Sequence, residues 1–448
     1  MKYPSQSVAL PYFVGALVIF SLQLVFGLVG AIMYVAPNLI PPDLLPFSVV
    51  RMIHTNALIV WLLLGFFGSA YFLLPEETER DIWSPMLAKV QFWLFFVAAA
   101  VAVVGYLFGN YDGRSYLEQP IYIKVGIVVV ALMFLLNISM TVLNGRKTVI
   151  TGILLMGLWG VAVFLLFAFY VPANVVIDKM FWWWVVHLWV EGVWELVMAS
   201  ILAFLLIKLT GVDREVVEKW LYVIIGTALF SGILGTGHHY YWIGTPAYWQ
   251  WIGTIFSAVE PLPFFAMVLF AFAMVWKGRR DHPNHAALLW SLGCAVTAFF
   301  GAGVLGFLHT LAPINYYTHG TQVTAAHGHL AFYGAYAMVN LAMITYAMPP
   351  LLGRAPYNQN LNILSFWTMT TGVGIMSAAL TFAGVLQTHL ERVMGQDYMD
   401  VQQQLGLFYT IRLYGGVMTA LGLVMFLIAT LVPGRRNAPA AVALAAAE

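Results

Sequence analysis

The sequence predicts an all-α integral membrane protein of about twelve transmembrane helices, and three observations carry that prediction. Of 448 residues, 62% are hydrophobic and 9% charged, whereas a soluble domain has about 25% charged residues. The mean hydropathy is +0.85. Apolar runs of the roughly 20 residues that a helix needs to cross a bilayer recur through the whole chain.

In order, the spans are expected at about 10–35, 51–74, 87–108, 121–143, 149–171, 181–208, 217–243, 252–276, 285–311, 322–348, 361–388 and 405–432. The opening MKYPSQS runs into an apolar stretch with no small-residue cleavage site, which predicts a first spanning helix rather than a removed signal peptide. Between spans lie short segments rich in turn formers, such as APNLIPPD near 36–43, NYDGR at 110–114, NGRK at 144–147 and KGRRDHPNH at 277–285. No linker divides the chain and no repeat is readable, so residues 1–448 are expected to form a single polytopic domain. A net charge of +1 offers no footprint for nucleic acid. With one cysteine, Cys294, the chain has no disulfide scaffold, thiolate cluster or covalent C-x-x-C-H haem site of its own.

Basic residues set the expected orientation, because Lys and Arg accumulate in cytoplasmic loops. One side collects Lys2, Arg80, Lys89, Arg146, Lys147, Lys208, Arg214, Lys219, Lys277, Arg279, Arg280, Arg354, Arg435 and Arg436; the other has Arg51, Arg114, Lys124, Lys179, Arg392 and Arg412. The richer side is expected to be cytoplasmic, with both termini on it. On that topology His54, His187, Glu260 and His327/His329 come early in helices that start outside, and His238/His239 come late in one that starts inside. All then share the outer part of the membrane. An ionisable group inside a spanning helix costs about 2.5–3.5 kcal/mol on insertion scales, so such groups have partners or functions.

In HLWVEGVWE, His187 and Glu191 are four residues apart, on one helix face, and can present an imidazole and a carboxylate to one ion. The surrounding tryptophans would equally suit an interfacial belt histidine bonded to a neighbour. The doublet His238/His239 in GTGHHYYW diverges by about 100° on a helix and can still converge on a metal between helices. Three imidazoles and the hard oxygen donor of Glu191 suit iron better than copper. His327 and His329 in TAAHGHLAFYG point about 200° apart, a poor geometry for one metal but a good one for two haems on either side of a helix. His54 could complete one haem, leaving the other an open position. The small residues around them, Ala325, Ala326, Gly328, Ala331 and Gly334, would admit flat macrocycles, or simply serve helix packing. Glu260, ahead of two prolines in AVEPLPFF, forms with Glu195 a carboxylate set suited to proton relay; the alternative for Glu260 is a bond to backbone groups freed by the prolines. His282, His285, His319 and His389 are expected to be solvated loop residues, and His309, near an outer helix end, could touch a haem carboxylate.

The stretches WWWVVHLWVEGVWEL, GTGHHYYWIG, AVEPLPFFAM and NYYTHGTQVTAAHGHLAFYGAYAM closely resemble the large catalytic subunits of bacterial cytochrome c-dependent nitric oxide reductases, within the haem–copper oxidase superfamily. The likeness covers nearly the whole chain. It implies the bundle of that superfamily's catalytic subunit, two haems b and a non-haem iron in a bacterial cytoplasmic membrane. By motif, His54 and His329 would ligate the low-spin haem and His327 the high-spin haem. His187, His238, His239 and Glu191 would hold the iron, with Glu195 and Glu260 in its acidic surroundings. The family's calcium ion, bridging haem propionates, would find a ligand in Glu118 of GRSYLEQP. The implied reaction is 2 NO + 2 e⁻ + 2 H⁺ → N2O + H2O, fed by a small membrane-anchored cytochrome c subunit. The quinol-dependent relatives carry a long N-terminal extension, so the cytochrome-dependent form is expected.

Two other readings compete. An oxygen reductase of the same superfamily would carry copper and a redox-active tyrosine. In one type that tyrosine lies four residues after the first metal histidine, where this chain has Glu191; in another it precedes the His pair by about two turns, and 223–237 contains no tyrosine. The cytoplasmic halves of the helices lack a row of ionisable residues, so proton uptake from outside, without pumping, is expected. The second reading is a twelve-helix proton-coupled transporter, whose broken helices would lie near mid-membrane; here the ionisable groups cluster off-centre.

Overall fold

A computed structural model describes residues 1–433. Twelve helices among them are long and apolar enough to span a bilayer: α1 Pro4–Val35, α2 Phe47–Thr78, α3 Pro85–Leu107, α4 Ile121–Leu143, α5 Val149–Phe167, α6 Val175–Thr210, α7 Arg214–Tyr240, α8 Tyr248–Trp276, α9 His285–Thr310, α10 Gln322–Leu351, α11 Gln359–Val393 and α12 Gly406–Leu431. No strand occurs among the described residues. The expected count holds, and most boundaries fall within a few residues of expectation. Arg435 and Arg436, two of the basic residues that orient the chain, lie outside the described residues.

Helices that are apolar on every side belong inside a membrane bundle or against lipid, and burial separates the two. In α2, α6 and α10 the most apolar stretch is 78–83% buried, against 28–50% in the other nine. These three form the middle of the bundle, and they carry His54, His187 with Glu191 and Glu195, and His327 with His329. The ionisable residues thus sit on the helices most completely surrounded by protein, where neighbours can supply ligands and hydrogen bonds that lipid cannot.

At the bundle end away from the histidines, Arg214 of α7 grips both carboxylate oxygens of Glu77 on α2 at 2.6 and 2.7 Å, and Thr148 donates to the same carboxylate at 2.8 Å. Lys208 of α6 pairs with Glu76. At the histidine end, Arg114 pairs with Asp178 at the start of α6, donates to the carbonyls of Ala168 and Tyr170, and lies 4.7 Å from the Trp182 ring. That clamp fixes the 108–120 connection over the mouth of the bundle.

Three departures from regular α-helix bear on the site; further π-helical segments occur at Phe299–Gly306, Phe332–Ala337 and His389–Val393. α6 contains a π-helical turn, Trp189–Val193. α7 ends in a tighter 3₁₀ turn, Thr236–Tyr240, which holds the His238/His239 pair. α8 breaks between Ser257 and Pro261, with Glu260 in the residue position directly before the second segment, as the prolines predict. Three of the histidines expected in solvated loops differ, His285 being exposed but the first residue of α9. His282 is half-buried, accepting the Asn284 N–H at 3.1 Å and lying 6.0 Å from the Tyr346 ring. His389 is exposed but belongs to the last turn of α11.

Candidate metal and haem centre

His187, Glu191, His238 and His239 converge, their nearest ligand atoms all within 4.8 Å of one another. Neighbouring helices fix each ring. The His187 Nε2–H donates to the Gly232 carbonyl of α7 at 2.5 Å, so its Nδ1 carries a lone pair. That Nδ1 is buried without a hydrogen-bond partner and faces Glu191 Oε2 at 3.3 Å. Two acceptors facing each other in a buried site call for a cation between them. His239 Nε2 is likewise buried without a partner, 3.5 Å from Glu191 Oε1, and His238 Nε2 lies 3.6 Å from Oε2. The donor set therefore fits a bound metal: three imidazole nitrogens and one carboxylate converge, and the His187 Nδ1 and His239 Nε2 atoms are buried with no other partner.

The π turn explains how the carboxylate reaches this point. One extra residue in the turn lets Glu191 swing toward α7 while His187 keeps its α-helical register. Two positioning contacts have no signature in the motifs. Trp183, one turn before His187, stacks on the His239 ring, centroids 5.3 Å apart and planes within 5°. Ser257 Oγ lies 2.7 Å from His238 Nδ1, the ring nitrogen turned away from the cluster. A residue four before a ligand on the same helix, and one three before Glu260, were the only sequence hints.

Glu260 is buried, with Oε1 unpaired and 3.6 Å from His238 Nδ1. Glu195 is also buried, four residues past Glu191 on the same helix. Both expected carboxylates thus flank the cluster. Glu260 does not turn back to the backbone freed by the prolines with its Oε1.

The haem-ligand candidates form a second arrangement. His54 bonds the Gln23 carbonyl through Nδ1 at 2.8 Å, and His329 bonds the Ala325 carbonyl through Nδ1 at 2.7 Å, leaving both Nε2 atoms as acceptors. Their ring centres are 6.2 Å apart with planes 31° from parallel. Two metal–imidazole bonds of about 2 Å and the two half-rings behind them span about 6 Å, so the pair fits axial ligation of one iron. Gly27 makes the approach possible: a Cβ there would stand 2.8 Å from the His54 ring. His327 turns the other way, its Nδ1 on the Gly301 carbonyl of α9 at 3.0 Å. The opposed directions expected from the two-residue spacing are present. His309 lies 6.1 Å from the His327 ring, but both its nitrogens meet threonine hydroxyls, Thr318 at 3.4 Å and Thr324 at 3.2 Å.

Glu118 lies apart from these groups in the 108–120 connection, buried, with Oε2 accepting from Asn56 at 2.7 Å. Burial pushes its carboxyl above the usual carboxylate range, and the Asn56 hydrogen bond opposes that shift.

Comparison with known proteins accords with this geometry. The chain is 55% identical over 449 residues to a nitric oxide reductase subunit from Stutzerimonas stutzeri, covering 95% of this chain and 94% of that protein. It is 24% identical to a cytochrome c oxidase subunit 1 homolog of Agrobacterium tumefaciens, covering 88% and 77%, and 23% identical to cytochrome c oxidase subunit 1 of Rhodobacter capsulatus, covering 85% and 75%. Its fold superposes on a haem–copper terminal oxidase dimer solved by cryo-EM with a TM-score of 0.75 at 14% identity, over 97% of this chain and 85% of that one. The profile of the cytochrome c and quinol oxidase polypeptide I family matches residues 7–418. A match of that extent runs from within the first span to within the twelfth, and the chain belongs to this family, the haem–copper oxidases.

Proposed function

We propose that this chain is the catalytic subunit of a respiratory nitric oxide reductase of the bacterial cytoplasmic membrane. Family membership brings haem and a metal centre, and the fourth donor decides which chemistry is built on them. Glu191 stands within 3.3–3.6 Å of all three imidazoles of the cluster. A hard carboxylate in that position favours iron over copper. This donor is the observation that carries the reading, and the 55% identity to a nitric oxide reductase supports it.

In this reading His54 and His329 hold a low-spin haem b, His327 holds a high-spin haem b, and His187, His238, His239 and Glu191 hold the non-haem iron. Bound there, the high-spin haem and the non-haem iron would supply binding positions for two NO molecules and pass on two electrons delivered by the cytochrome c subunit, with two protons completing the conversion to N2O and water. The protein's part is to fix the rings through Gly232, Ser257, Gln23, Ala325 and Gly301, to exclude bulk water, and to carry protons. Glu260 and Glu195, buried beside the cluster, hold the protons consumed in the reaction. The oxygen-reductase alternative needs a tyrosine facing the metal. The buried tyrosine tied to the cluster's helix, Tyr336, gives its hydroxyl to the Val190 carbonyl instead.

Glu118 is proposed as the calcium ligand. Calcium takes about 6–8 oxygens, and with one oxygen already on Asn56 this carboxylate cannot make the site alone. Haem propionates and the small membrane-anchored cytochrome c subunit, docked at the histidine-bearing outer end, would complete it. The distribution of Lys and Arg supports a cytoplasmic location for both termini.

Metal analysis of the purified complex tests the assignment. About three irons in this subunit are expected, two as haem b and one non-haem, without copper. Calcium should survive desalting in the parent protein and be lost in Glu118→Gln. Stoichiometric copper would move the assignment to an oxygen reductase. In reconstituted vesicles, turnover with NO should take protons from the outer side and leave no acidification there; exterior acidification would overturn the non-pumping reading.

A further inference from the structure

We propose that Tyr336 is a positioning residue that holds the Glu191-bearing π turn in its metal-binding form. The proposal rests on the iron assignment above and adds a residue to it. A π turn leaves carbonyls poorly served by the helix ladder, and such turns persist where something outside the helix takes over. Here the carbonyl of Val190, directly before Glu191, accepts the Tyr336 hydroxyl. Tyr336 belongs to α10, seven residues past His329, and is itself in a π-helical segment, Phe332–Ala337.

Its ring has little freedom. It packs edge-on against Trp194 at 5.4 Å and against Phe66 at 6.3 Å, and it is 6% exposed. The hydroxyl is thus delivered to one place by α10, the helix carrying both His327 and His329. The same turn is pressed from the opposite partner, α7, by Gly232, whose carbonyl orients His187. Glu191 is held between these two contacts, one setting its backbone and the other its neighbouring imidazole. Tyr336 also ties the spacing of the haem helix to that of the iron helix, which are otherwise joined here by apolar packing.

Tyr336→Phe removes only the hydroxyl. The expected result is a protein with both haems and their optical bands intact, but with non-haem iron lost to a chelator roughly tenfold faster or more. Its iron-site spectrum should move toward that of Glu191→Gln. Tyr333→Phe removes a neighbouring buried hydroxyl, bonded to Thr370 at 3.0 Å, and should change neither readout. Lower thermal stability in both variants with the iron spectrum unmoved in either would reduce Tyr336 to a packing residue and overturn the proposal. Iron retention and spectrum equal to the parent's in Tyr336→Phe would overturn the proposal. A parent protein without non-haem iron would instead overturn the iron assignment. If Tyr336→Phe does not assemble, 3-fluorotyrosine at 336 provides the test. Its fluorine resonance should shift when iron is stripped and return on reloading, and an unmoved resonance would overturn the proposal.

Discussion

Replacing His239 by alanine is expected to empty the non-haem iron site while both haems remain. In the proposed assignment the imidazole is one of four donors, and its Nε2 is buried, unpartnered and 3.5 Å from Glu191 Oε1, so no other group stands ready to replace it. Loss of a contact that merely orients a ligand costs about 10–100-fold in metal affinity, and loss of a ligand should exceed that. The proposed haem-ligand histidines lie on α2 and α10 and donate through Nδ1 to the carbonyls of Gln23, Ala325 and Gly301, not to groups of the metal cluster. NO reduction should fall by roughly three orders of magnitude or more, since two bound ligands brought together become one bound ligand awaiting a collision. Metal stoichiometry, the optical spectrum and an NO electrode separate the outcomes. Full iron occupancy in the variant would remove His239 from the ligand set, and lost haem bands would mean that the two centres are not independent.

The parts of this molecule legible in the sequence are those that depend on local periodicity. Twelve apolar runs became twelve helices because helix formation in lipid is forced by backbone hydrogen bonding, whatever the neighbours do. The two-residue step between His327 and His329 fixed opposite directions without knowledge of what lay on either side. The proline pair after Glu260 marked a real helix break. What stayed hidden depends on register between helices. Nothing in WVEGV announces a π turn, because the turn exists only where Tyr336 and Gly232 meet it from α10 and α7. Trp183 looked like one of several belt tryptophans until its ring was found parallel to His239. His282, in its loop as expected, read as fully solvated because its partner, Tyr346, is 64 positions away in sequence.

That dependence on inter-helix register gives the second large effect. Gly232→Ala is expected to assemble with its haems and lose about a hundredfold in NO reduction, the order of cost that follows an ångström of misplacement at a reacting centre. A Cβ at 232 would collide with the carbonyl oxygen of Glu191 and stand 3.2 Å from its carbonyl carbon. Those are backbone atoms, which cannot rotate aside as a side chain can. Alanine is the better helix former by about 0.5–1 kcal/mol, but overpacking a tight contact costs about 1–3 kcal/mol, so strain wins. α7 must retreat from α6, stretching the 2.5 Å bond from His187 to the Gly232 carbonyl and drawing His238 and His239, one to two turns further along, away from Glu191. Gly226→Ala on the same helix, where a Cβ meets nothing within 4 Å, should be silent and so isolates the contact from the change in helix propensity. Non-haem iron content and NO turnover, measured on both variants, decide the matter. A Gly232→Ala protein with the parent's iron and rate would mean that the close approach of α7 to the π turn does not set the geometry of the cluster.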